Sequence, residues 1–274
     1  MKKKLLLGMS AIAVVAAASI GTTMAVLSNQ TLVAENTMTV GNVKIAQNEY
    51  ERVDKTKHYT NYAKTGDLRE FTQNQVILPT VSKNNLSSDY TAEPNMPNLY
   101  CWGDYVTKTE NVGCNGLWNP AKVENVVDKI VMVSNTGTTD AYFRTVFAFE
   151  QPEGMTYGEI PQGATMMMNV NLGWYDWENE IGVIEIGDTK YALVVATYNG
   201  NKGILKSGET ARPSLLQIAL SNKLTNEDMA KFGTDGYKVY VVTQAVQKSD
   251  MLKADEALDA AFGEITVSKN PFVQ

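Results

Sequence analysis

From residue 36 onward, apolar and polar side chains alternate with a period of two over much of the chain, and this pattern predicts strands far more than helices. The first such run is 36–45, a β-rich segment with Gly41-Asn42 in its middle, and a short strand at 76–81 is broken by Pro79, which cannot donate to a ladder. The strongest β signal is the pair 128–135 and 141–149, joined by 136–140, a Gly-containing turn region of hairpin type. Within 141–149, Phe143, Phe147 and Phe149 share one face, so that face should be core. A strand over 166–175, a hairpin of 182–186 with 190–198 around Gly187-Asp188, and a Val- and Tyr-rich strand over 237–248 complete the series.

Period-3.6 patterning is confined to two places. Thr225 and Asp228 stand at capping-box spacing ahead of Met229 and Phe232, which predicts a short helix. Asp250 opens a second, with Ala254, Ala257, Leu258, Ala261 and Phe262 along one side and Gly263 as its stop. The expected fold is therefore all-β: a jelly-roll-like antiparallel β-sandwich with two or three short helical decorations. Between the strands, the polar, tyrosine-rich 47–70 predicts a surface excursion. Residues 84–120, rich in Asn, Ser, Gly and Pro, predict an inserted loop carrying Cys101, Cys114, Trp102 and Trp118.

Ahead of the alternating region lies a different pattern. Lys2, Lys3 and Lys4 precede an apolar run over 5–20, and Thr23-Met24-Ala25 places small residues where a signal peptidase reads them. The expected organisation is a leader over 1–25, cut between Ala25 and Val26, and a secreted domain over 26–274 whose first strand region is 26–46. The apolar run is shorter than the ~20 residues that span a bilayer. Formal net charge is −6, and loss of the three leader lysines takes it three units further, to −9. An acidic chain without basic clusters excludes nucleic acid as a partner. Two cysteines in an exported chain permit a disulfide closing a loop of about fourteen residues, stabilising by about 3 kcal/mol on the entropic estimate. Free thiols in a reducing habitat are the other reading. Their spacing lacks the paired C-x-x-C of a zinc site.

The leader and first strand together resemble the secreted TasA and camelysin family of biofilm-matrix proteins. The residues that carry the likeness are Gly21, Thr22 and Ala25 at the leader's end and Asn36, Thr37, Met38, Thr39, Gly41, Val43 and Ile45 after it. Met24 and Val26 stand where that family often has an aromatic residue at the cut. The stretch 128–150, D-K-I-V-x-V-S-N-T-G-x-x-D-A-Y-F-R-T-x-F-A-F-E, is also similar to exported relatives, as are Q-A-V-Q at 244–247 and A-x-x-A-L-x-x-A-F-G at 254–263. The resemblance implies leader removal by a SipW-type signal peptidase, an extracellular matrix or cell-surface location, and a head-to-tail homopolymer built by N-terminal strand exchange, with other matrix proteins or polysaccharide as further partners. The donor segment would be 26–40, with Leu27, Leu32, Met38 and Val40 filling pockets on the next subunit; the other reading is that 37–45 is an intramolecular first strand and 26–35 a leader remnant.

Catalytic chemistry finds little purchase. His58 is the only histidine, so the H-E-x-x-H arrangement of a zinc protease cannot be built, although camelysin relatives carry a peptidase label. A nucleophile elbow and a phosphate-binding Gly loop are both missing from the sequence. Asp176, Glu178 and Glu180 flank Trp174 and Trp177, but no D-x-D-x-D-G loop accompanies them, and they predict a solvated strand edge. The expectation is a non-enzyme without metal or other cofactor. A monomeric adhesin or carbohydrate binder using Trp102 and Trp118 is the alternative to the fibre subunit.

Overall fold

The computed structural model describes residues 23–26, 37–40, 43–54, 67–72, 127–159, 166–171, 173–220, 224–232 and 237–272. In chain order the strands are β1 (Thr23–Val26), β2 (Thr37–Val40), β3 (Ile45–Arg52), β4 (Leu68–Glu70), β5 (Val127–Asp128), β6 (Ile130–Asn135), β7 (Ala141–Glu150), β8 (Tyr157–Glu159), β9 (Met166–Val170), β10 (Tyr175–Ile186), β11 (Thr189–Tyr198), β12 (Leu215–Leu220) and β13 (Lys238–Gln247). Helix α1 (Asn226–Ala230) precedes β13 and α2 (Ala254–Phe262) follows it.

The strands form two layers. In the first sheet the order is β1-β13-β7-β11-β10, with β2 also on β13. The second is built from β4-β3-β6 and β5-β12-β9-β8. Main-chain bonds from Lys129 N to Leu216 O, Ala211 N to Val133 O and Ser214 N to Val131 O stitch these two groups along one seam. The all-β sandwich expected from the alternating pattern is present, and it is mostly antiparallel. Among the described residues two pairings, β2 with β13 and β8 with β9, are parallel.

β7 is the spine, and all ten of its residues are buried. Phe143, Phe147 and Phe149 point between the sheets, where they meet Val131, Val133, Met168, Leu215 and Ile218. The opposite face of β7 is covered as well. Val146 and Ala148 lie under Ile265 and the partly buried Phe272 of the C-terminal segment, while Tyr142 packs on Ala257 and Leu258 of α2. Arg144 fastens that helix, donating to Gln244 Oε1 (2.8 Å), Asp259 Oδ1 (2.6 Å) and the Gly263 carbonyl (2.6 Å). Gly263 ends α2 at φ 83°, a conformation that favours glycine. The capping box at Thr225 and Asp228 forms as its spacing predicts.

Five expectations need correction. The run 166–175 is not one strand: β9 ends at Val170 in the second sheet, a turn occupies 173–174, and Tyr175 opens β10 in the first. The 128–135 and 141–149 segments do not pair with each other: β6 pairs with β3 in the second sheet and β7 with β13 and β11 in the first. Residues 136–140 are thus a corner between layers, held by Asn135, whose Nδ2 donates to the Thr139 carbonyl (2.8 Å) and whose Oδ1 accepts from Gly137 N (3.0 Å). The run 36–45 is two strands in different sheets, and the Lys44 carbonyl, accepting from Thr136 N (2.8 Å) and Gly137 N (2.9 Å), pins the crossing. The predicted surface excursion begins with β3, whose Gln47, Glu49, Glu51 and Arg52 are buried. Helix α2 opens at Ala254 rather than Asp250, leaving Met251 exposed.

Candidate functional site: the β13 edge

β13 has β7 along one side and the two N-terminal strands along the other. β1 runs antiparallel to it, with Thr23 opposite Val241, Met24 opposite Tyr240, Ala25 opposite Val239 and Val26 opposite Lys238. β2 runs parallel further along, matching Thr37, Met38, Thr39 and Val40 to Thr243, Gln244, Ala245 and Val246. The sequence supports such a strand well. Val, Tyr and Thr fill β13 because their branched or flat side chains pack on a pleated surface, and residues 239–245 are all buried. Its inward row, Val239, Val241 and Ala245, belongs to the main core, so β13 is held firmly whatever its outer edge does.

One polar group interrupts that inward row. Thr243 Oγ1 donates to Gln47 Oε1 (2.6 Å) on β3 in the opposite sheet and lies 3.2 Å from Thr145 Oγ1 on β7. This is a cross-layer tether immediately beside the β2 pairing. β3 is itself anchored by a buried ionic lattice. Arg52 donates to both oxygens of Asp128 (2.7 and 2.8 Å), and Gln217 Nε2 donates to Asp128 Oδ1 (2.8 Å). Lys129 pairs with Glu49 and sits 4.5 Å over the Phe71 ring. Burial lowers the Lys129 pKa, against the opposing pull of Glu49. Glu51 accepts from Arg69 Nε (2.6 Å) and Thr72 Oγ1 (3.0 Å). Glu49 Oε1 and Glu51 Oε2 remain buried without a hydrogen-bond partner, so the lattice specifies the position of β3 at some cost in stability.

The far edge of the same sheet is different. β10 carries exposed Asp176, Glu178 and Glu185, and its pairing with β11 shifts register between Glu178 and Gly182. Gly182 stands at φ 130°, and a Cβ there would come within 2.7 Å of Val267 Cγ2. Between these charges, Trp177 stacks on Phe147 at 5.6 Å, and Arg212 lies 4.2 Å over Trp174. The tryptophans therefore serve the core and an internal cation–π contact, while Asp176 and Glu178 face water, as the solvated-edge reading expected of those two.

Of the residues singled out from the sequence, the structure brings Ala25, Val26, Met38 and Val40 together on the β13 edge. Leu27, Leu32, His58, Cys101, Trp102, Cys114, Trp118, the 76–81 strand and the 84–120 loop lie outside the described residues. Among the described residues no group of three or more His, Cys, Asp or Glu side chains is arranged to hold a metal ion. No helix among them is long and apolar enough to cross a membrane. Neither the protein-family models nor the curated proteins contain a match to this chain. Sequence reasoning missed the β13 side of this edge, 238–246, because an edge is a property of sheet order, which local alternation does not encode.

Proposed function

We propose that this chain is a secreted structural protein of an extracellular matrix or cell surface, a fibre subunit of jelly-roll-like build that assembles by exchange of its N-terminal strand segment. The observation that carries this reading is that β2, within the segment 26–40, joins the sandwich by main-chain pairing along one sheet edge, that of β13. A segment attached this way adds a strand to a sheet edge by main-chain pairing, so the same pairing can be made by the segment of another copy. Main-chain hydrogen bonds supply the affinity, and the contact is head-to-tail, so it propagates instead of closing. Residues 26–40 are the donor, and a SipW-type peptidase acting between Ala25 and Val26 produces it.

Electron microscopy of the chain 26–274, beside the same chain with a blocking N-terminal extension, tests the proposal. Fibres from the free N-terminus alone are the expected result. Monodisperse particles from both would overturn it.

A further inference from the structure

The scissile bond of the leader lies inside β1. Three of the strand's four residues, Thr23, Met24 and Ala25, fall on the leader side, and only Val26 is retained. Before cleavage these residues occupy the outer main-chain positions of 239–241 on β13, in antiparallel register. After cleavage β2 still covers 243–246 by its own parallel pairing, which does not extend to 238–241. From this geometry, and resting on the secreted-subunit reading above, we infer that the end of the leader is a removable edge cap. Its removal turns 238–241 into a docking edge for a strand of a second copy of this chain.

Physical reasons favour this edge and this occupant. A sheet edge with open N–H and C=O groups templates further strands, and proteins avoid that by covering, charging or bulging the edge. The β10 edge is both charged and bulged. The 238–241 edge has only Lys238 as a charged residue, followed by Val239, Tyr240 and Val241. Its protection in the precursor is therefore a covering strand, and the leader peptidase removes that cover. The pairing seen within one chain shows that an antiparallel strand of this protein fits there. The segment of a second copy that begins at Val26 would supply the new strand, Val26 being the one residue of β1 that it keeps. Processing and assembly are thereby coupled: a precursor with β1 in place has no vacant stretch at 238–241.

Hydrogen exchange and sedimentation on three chains, each released from a fusion, test the inference. One begins at Gly21, one begins at Val26, and the third begins at Gly21 and carries Met24→Pro, which keeps the length but breaks β1. At low concentration the amides of 238–241 that face β1 should exchange about tenfold or more slowly in the Gly21 chain than in the Val26 chain, with the proline variant matching the latter. At high concentration the Val26 and proline chains should self-associate and the Gly21 chain should stay monomeric. Equal exchange at 238–241 in the Gly21 and Val26 chains overturns the cap, even if fibres form by another edge. Faster exchange in a Val26 chain that stays monomeric at every concentration upholds the cap but overturns both the second-copy occupant and the fibre-subunit reading.

Discussion

The two edges of the first sheet show opposite solutions to one problem. Among the described residues β10 ends the sheet, with acids facing water and a register shift in its ladder, so a strand approaching it meets charge and an irregular hydrogen-bond row. At β13 the sheet is instead finished by short strands from the N-terminus, one antiparallel and one parallel. The first edge is closed by its own side chains, while the second is closed by covering strands, which the proposed cleavage and exchange would take away. The difference teaches where to look for assembly: an edge protected by composition has no further use for a partner, whereas an edge protected by a cover depends on that cover.

Substitutions can break or sharpen this contrast. The largest loss is expected from Phe147→Ala on β7, the strand lying between the two edges: a buried ring stacked on Phe149 and Trp177 disappears, which costs about 4 kcal/mol. Urea unfolding should show that loss, and both edges should then exchange faster. Next comes Arg52→Met, which leaves the Asp128 carboxylate buried without its cation and should cost about 3 kcal/mol. The double variant Arg52→Met, Asp128→Leu should recover much of it, which a double-mutant cycle would measure.

Thr243→Val removes the tether to Gln47 and leaves a buried amide oxygen without its donor, for about 1–2 kcal/mol. Exchange should quicken at the β2 pairing and stay unchanged at β10. A pH-dependent effect comes from Tyr191, whose hydroxyl is pushed far above its ordinary value of 10.0 by burial and by its bond with Tyr240 of β13. Up to about pH 10 folded and unfolded forms both keep this proton. Above it only the unfolded form releases its proton, so stability falls as pH rises. Tyr191→Phe should therefore show a smaller drop in urea midpoint between pH 9 and 11 than the parent chain. Lys129, whose lowered pKa contributes with the opposite sign below 10.5, cancels in that comparison.

The smallest change in stability, within about 0.5 kcal/mol, is expected from Asp176→Thr with Glu178→Thr, because both acids are exposed. Its effect should be on association. A chain retaining β1 yet lacking these charges should acquire some self-association through β10, seen as concentration-dependent sedimentation. A variant that remains monomeric would mean that the register shift alone protects this edge.

Much of the fold was legible because strand alternation is local. The core face of β7 follows from Phe143, Phe147 and Phe149 being two or four residues apart, and the α1 cap follows from Thr225 and Asp228 being three apart. β3 was misread for the same reason. Glu49, Glu51 and Arg52 look like a water-facing charge run until Lys129, Arg69 and Asp128, distant in sequence, are folded onto them. A buried charge is recognisable only with its partner, and the partner is supplied by tertiary contact.

The sequence by itself determined the all-β class, the two short helices and most strand positions, since periodicity, capping and turn chemistry act over a few residues. Tertiary structure decided which strands are neighbours. It sent β6 and β7 to opposite layers, buried the polar face of β3, and set β1 and β2 on the outer side of β13. Whether a strand is central or at an edge depends on sheet order, which arises from contacts between residues some two hundred positions apart, such as Gln47 with Thr243.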